Sequence, residues 1–185
     1  MSNESGAKQK YALTSLMAAL AVVFSLFKLT FPFILLAYLK FDLAEIPAAI
    51  TFFLVGLRGA IIVALVHFMV LSLQGAFFPI GPLMKFLAVV SSLIGFYIGG
   101  KVVRGNPFSI QSFALSMSLA ALSRILVMTM ANIVVLIFIL PQLLYYSLEI
   151  ILLYTAFFNF LHVVLTFGVA YTIVKQIAKI MIESK

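Results

Sequence analysis

Apolar residues run through this chain in blocks that charge almost never interrupts, as over 61–71 and 133–140. Blocks of this kind leave few ways to fold. A globule of this size cannot hide so much apolar surface: 65% of the 185 residues are hydrophobic and 9% charged, against roughly 25% charged in soluble domains. Disorder is excluded by the abundance of Leu, Ile, Val and Phe. The remaining solvent is lipid, where only helices or closed barrels satisfy every backbone amide. A barrel strand alternates polar and apolar positions, and these blocks do not. The expected fold is therefore an all-α integral membrane protein.

A spanning helix takes about 20 residues, so six spans and short loops nearly exhaust the chain and leave no room for a soluble catalytic domain. We expect helices over 10–28, 42–57, 59–77, 82–100, 109–140 and 149–179. A loop containing Phe31-Pro32-Phe33 fills 29–41, and a polar turn is bounded by Gly99-Gly100 and Gly105-Asn106-Pro107. As domains, 1–10 reads as a polar cytoplasmic tail (1–7 loosely held), 11–179 as one six-helix bundle and 180–185 as a second cytoplasmic tail. Lys8 and Lys10 before an apolar run imitate a secretory signal. The chain stays hydrophobic to its end, however, so this reads as an uncleaved first helix.

The net charge of +7 on a soluble protein would suggest nucleic acid. Here the bases sit at segment ends, so no nucleic-acid partner is expected. With the N-terminus in the cytoplasm, eight of the twelve Lys and Arg residues fall on that side: Lys8, Lys10, Arg58, Lys101, Arg104, Lys175, Lys179 and Lys185. That enrichment fits both termini inside.

Within spans the informative residues are polar, because an ionised group at mid-membrane costs about 2.5–3.5 kcal/mol on insertion scales. Gln74, Lys85 and Glu149 lie near the outer ends of helices 3, 4 and 6, and Asn132 in the outer half of helix 5. Asn159 and His162, three apart, share one face of helix 6 and offer an amide and an imidazole together. These residues predict a polar cluster in the outer half, among walls rich in the chain's nineteen Phe and seven Tyr. Each has a plainer reading. Lys85 snorkels to the interface, Asn132 makes an interhelical hydrogen bond, His67 is a packed polar residue, and Arg124 pairs within the bundle or reaches the cytoplasmic side.

Catalysis finds little support. The chain has no phosphate-binding Gly-rich loop. Its two His residues, 95 apart, fit no zinc pattern, and it contains no Cys. No carboxylate lies deep in a span, which disfavours a self-sufficient proton-driven carrier. The expected function is capture of a largely apolar, hydrogen-bonding small molecule from outside, with energy supplied by another protein; no metal site and no enzymatic activity are expected.

The stretch Ala37-Tyr38-Leu39-Lys40-Phe41-Asp42-Leu43-Ala44-Glu45-Ile46-Pro47 resembles the first-loop motif Tyr-Leu-Lys-Ile-Asp-Phe-Ser-Asp-Ile-Pro of S components, the substrate-binding subunits of energy-coupling-factor (ECF) vitamin transporters. Riboflavin-specific members are the most similar. Gly56, Gly59, Leu73-Gln74-Gly75, Pro79-Ile80-Gly81, Met128-Thr129, Asn132, Pro141 and Phe158-Asn159 follow in the order of that family, so the resemblance spans about 11–175. It implies a six-helix subunit that captures a vitamin extracellularly. The implied partners are a transmembrane coupling subunit, two ATP-binding cassette ATPases and the bilayer. No cofactor is implied, riboflavin being the transported substrate. By this resemblance Asn132 and Asn159 contact substrate, and His162, Lys85, Gln74, Phe158 and Leu39 are expected to join them. Tyr38, Lys40 and Asp42 shape a lid loop, with Lys40 and Asp42 available to pair, and the small residues Ser15, Ala18 and Ala19 of helix 1 meet the coupling subunit.

Two positions depart from the family pattern. His162 and Val163 replace the Lys-Gly of its helix 6 motif Asn-x-x-Lys-Gly, and Lys85 opens the helix 4 motif in place of Asn. Folate, pantothenate, a queuosine-type precursor or a stand-alone carrier are the alternatives that these departures keep open.

Overall fold

The computed structural model describes residues 2–75, 77–102, 109–142 and 147–183. Six α-helices lie among them: α1 Ser2–Leu26, α2 Ile46–Leu54, α3 Leu57–Leu73, α4 Ile80–Val102, α5 Ile110–Phe138 and α6 Leu148–Glu183. Between α1 and α2 come strands β1 Thr30–Phe33 and β2 Leu36–Asp42, then a single 3-10 turn, Leu43–Glu45. Helices α1, α4, α5 and α6 are long and apolar enough to cross a membrane. The 17 residues of α3 reach about 26 Å at 1.5 Å per residue, short of a ~30 Å hydrocarbon core.

Three expectations need correction. First, α1 starts at Ser2 rather than near residue 10. Ala, Lys and Gln over 7–10 are good helix formers, and Glu4 in the first turn opposes the positive end of the helix dipole. Second, the first loop is a paired two-stranded hairpin, so the fold is not purely helical. Third, the second helix does not begin at residue 42. There the Asp42 carboxylate accepts the Ala44 N–H at 2.9 Å and caps the 3-10 turn, and α2 proper follows with a proline in its first turn. The turn at Gly105-Asn106-Pro107, with Arg104 and Lys185, lies outside the described residues.

The chain divides into two compact units. The first comprises the described parts of Met1–Leu29, Asp42–Pro82 and Leu165–Lys185. On α1, Thr14, Ala18, Ala21 and Ser25 are buried at helical spacing, so one narrow stripe of small side chains faces α2 and α3. Thr14 and Thr51 crowd the space beside Gly59. The second half of α6 adds Phe167, whose ring meets Phe52 and Phe53 edge-on.

The second unit holds Thr30–Phe41 and Leu83–Val164. Its tightest seam joins α4 to α5. A Cβ at Gly99 would lie 2.4 Å from the Ser116 Cα, and one at Gly95 2.5 Å from the Leu119 carbonyl oxygen. Only hydrogen fits there, and the helices approach as small residues permit in lipid. Gly99→Val should therefore force the seam apart. Overpacking of this kind costs about 1–3 kcal/mol, and we expect it as a lowered midpoint in a detergent thermal melt, with Gly168→Ala, in open space, as the unaffected control.

Candidate binding site

The long helices of the second unit carry polar residues on the faces they bury. On α5, Arg124, Met128 and Asn132 recur every fourth residue and all are buried, a single inward stripe. On α6, Thr155, Asn159 and His162, spaced four and three apart, form a second buried stripe. The two stripes meet at Arg124, whose side chain is 3% exposed.

Arg124 Nε donates to Asn159 Oδ1 at 2.9 Å, and Arg124 Nη2 lies 3.1 Å from His162 Nδ1. A guanidinium has no acceptor and stays charged. The imidazole must therefore accept at Nδ1 and carry its proton on Nε2. Asn159 is fixed from its other end, its Nδ2 donating to the Thr155 carbonyl at 2.8 Å. The result is a permanent positive charge in an apolar span, oriented by an amide and a neutral imidazole. Hydrogen bonds to a charged group are worth about 1.5–3 kcal/mol each, enough to offset the insertion cost of the guanidinium.

Aromatic rings enclose this knot. The His162 ring is met edge-on by Phe41 at 5.4 Å and by Phe158 at 5.3 Å between centroids. Phe41 and Phe158 are 4.8 Å apart, and Phe33 lies 5.5 Å from Phe158. The hairpin supplies Phe33 and Phe41 because alternate strand residues face one side, here the side toward α6. Tyr38 of β2 is exposed, with part of its ring covered. Partial burial raises its hydroxyl above the ordinary tyrosine range, so the phenol keeps its proton at neutral pH.

Asn159, His162 and Phe158 are thus brought together, as their spacing implies. Asn132 lies two turns farther along α5, about 12 Å away by helix rise. Its Nδ2 donates to the Met128 carbonyl at 2.7 Å, and its amide oxygen has no bond among the described residues. Lys85, partly buried in the first turns of α4, and Leu39, partly buried on β2, belong to the same unit. Gln74 belongs to the other unit, where it donates to Ser25 at 3.1 Å.

Asp42 also belongs to that other unit: its second oxygen stands 3.8 Å from His67 Nε2, both side chains buried. Its role is to end the hairpin and face α3, while Lys40 is exposed. On α1, Ser15 and Ala19 are exposed and Ala18 is buried.

Arg124, Phe33 and Phe41 are the residues that sequence reasoning left out of the site. A signal for Arg124 existed, since an ionisable residue in mid-span is by default a functional one.

No family model and no curated protein matches this chain. Among solved structures it matches the S component of a bacterial ECF transporter at TM-score 0.78 and 27% identity, over 94% of this chain and 98% of that one. The chain is therefore a multi-pass membrane protein sharing, over nearly its whole length, the fold of an ECF transporter S component.

Proposed function

We propose that this protein is the membrane-embedded substrate-binding subunit of an ECF-type vitamin importer, with riboflavin as its substrate. The vitamin is captured from the extracellular side and released after a reorientation driven by partner ATPases through a transmembrane coupling subunit. The observation that carries the reading is Arg124, held by Asn159 and His162 beneath the rings of Phe33, Phe41 and Phe158. A flat heterocycle stacks on such rings. Its imide edge, which alternates acceptor and donor, pairs with a guanidinium, and the open amide oxygen of Asn132, about 12 Å farther along α5, is available to a second polar group of the same molecule. In this reading the six helices have both termini in the cytoplasm, and the hairpin end of the cluster opens toward the extracellular side. Ser15 and Ala19 provide an exposed small pair on α1 for close approach of the coupling subunit.

One observation favours a second substrate. In riboflavin-type members the cation comes from the Lys of the helix 6 motif. Here His162 stands in that place and the charge enters from α5 as Arg124, which suits another heterocyclic vitamin bearing a carboxylate or imide.

Titration of purified protein with riboflavin tests the assignment. We expect flavin fluorescence to be quenched at one ligand per chain without ATP. Absence of quenching, with a thermal shift on adding folate or pantothenate, would replace riboflavin and keep the subunit role. Uptake into liposomes by this chain alone would overturn that role in favour of a carrier.

A further inference from the structure

The hairpin has a second face. Phe33 and Phe41 turn toward α6, but Phe31, Ile34 and Leu35 stay exposed; Ile34, at the tip, is 97% exposed. Three large apolar side chains at the end of a short ribbon are a poor surface to leave in water.

Two observations say what covers them. The first is depth. Phe33 packs 6.3 Å from Phe157, which lies nine residues, about 13 Å, along α6 from Leu148, inside the apolar stretch Leu148–Ile180. The second is continuity. Phe157 belongs to an exposed apolar stripe of α6, with Leu153, Phe160 and Val164, spaced as one helix face. That face has the composition of a lipid contact, and the hairpin rests at its border.

We propose that the end of the hairpin, with Phe31, Ile34 and Leu35, is a lipid wedge seated at the headgroup–acyl boundary of the bilayer. The ribbon then holds two solvents apart, with its inner rings on the polar knot and its outer side chains in the membrane. The inference requires only that the chain is membrane-embedded, whichever vitamin it binds.

The chain contains neither Trp nor Cys, so a single introduced probe reports alone. Full-length Ile34→Trp protein is reconstituted in phosphatidylcholine–phosphatidylglycerol vesicles containing lipids brominated at defined depths. We expect blue-shifted emission, strongest quenching by bromines nearest the headgroup and weak quenching by acrylamide, with Leu153→Trp as the lipid-facing reference. Red-shifted emission quenched by acrylamide alone would overturn the proposal, as would protection from both quenchers, which assigns the tip to another protein surface. Indole itself seeks interfaces, so Ile34→Cys carrying a nitroxide gives a second reading. Oxygen should relax it more than a water-soluble nickel chelate does, and the reverse order overturns the wedge.

Discussion

Replacing Arg124 by methionine should weaken ligand binding by about 10- to 100-fold, the loss that one charge-assisted hydrogen bond of about 1.5–3 kcal/mol implies. The expectation rests on geometry. The guanidinium is buried and is the point at which Asn159 and His162 converge. Methionine matches the stem and removes the fork, so two buried acceptors lose their donor, at about 1–3 kcal/mol each. Against this, a desolvated charge leaves the membrane interior, which repays part of the loss. The melting midpoint should consequently move little while affinity falls. Arg124→Lys should restore only part of the affinity, because one ammonium cannot reproduce the planar fork that reaches both partners. Riboflavin fluorescence titration and a detergent melt on the same preparations separate the two quantities. Binding of wild-type strength in Arg124→Met would remove the cation from the site.

How far this site was legible in sequence follows from the kind of order each residue obeys. The helices α4, α5 and α6 could be read because apolar runs bounded by Gly, Pro and bases carry their own signal. Asn159 and His162 could be paired because a three-residue spacing is a property of one helix. Arg124 could not be joined to them. Its meeting with α6 depends on the register of two helices 35 residues apart in sequence, and the periodicity of neither contains that register.

The hairpin was hidden for a different reason. Pro32 lacks an N–H and argues against a strand, yet β1 has a single partner, β2, and an edge position tolerates it. Asp42 and Glu45 form a capping signature three apart, which in retrospect marks the end of the ribbon. Phe33 and Phe41 became candidates only once the strand pairing set which residues face α6.

Asn159→Leu and Asn132→Leu should part company, and the contrast distinguishes a structural amide from a ligand-reading one. Asn159 ties two groups together: it accepts from Arg124 and donates to the Thr155 carbonyl. Leucine there leaves a buried guanidinium short of a partner, at a cost of about 2–3 kcal/mol, and tilts the fork away from its present line. Both the melting midpoint and the affinity should drop, the affinity by about 100-fold or more. Asn132 makes one side-chain bond among the described residues, to a carbonyl one turn back on its own helix. That carbonyl already serves the helix ladder, so leucine at 132 should leave stability within about 0.5 kcal/mol and lower affinity alone. Asn159→Asp sharpens the test: a carboxylate beside Arg124 gives up the bond to the Thr155 carbonyl but gains an ion pair that keeps the knot closed, and it draws the guanidinium to itself and neutralises the charge presented to a ligand. Binding should then fail in a stable protein. If Asn159→Asp binds as tightly as wild type, the guanidinium serves the fold and the recognition surface lies elsewhere along the α5 stripe.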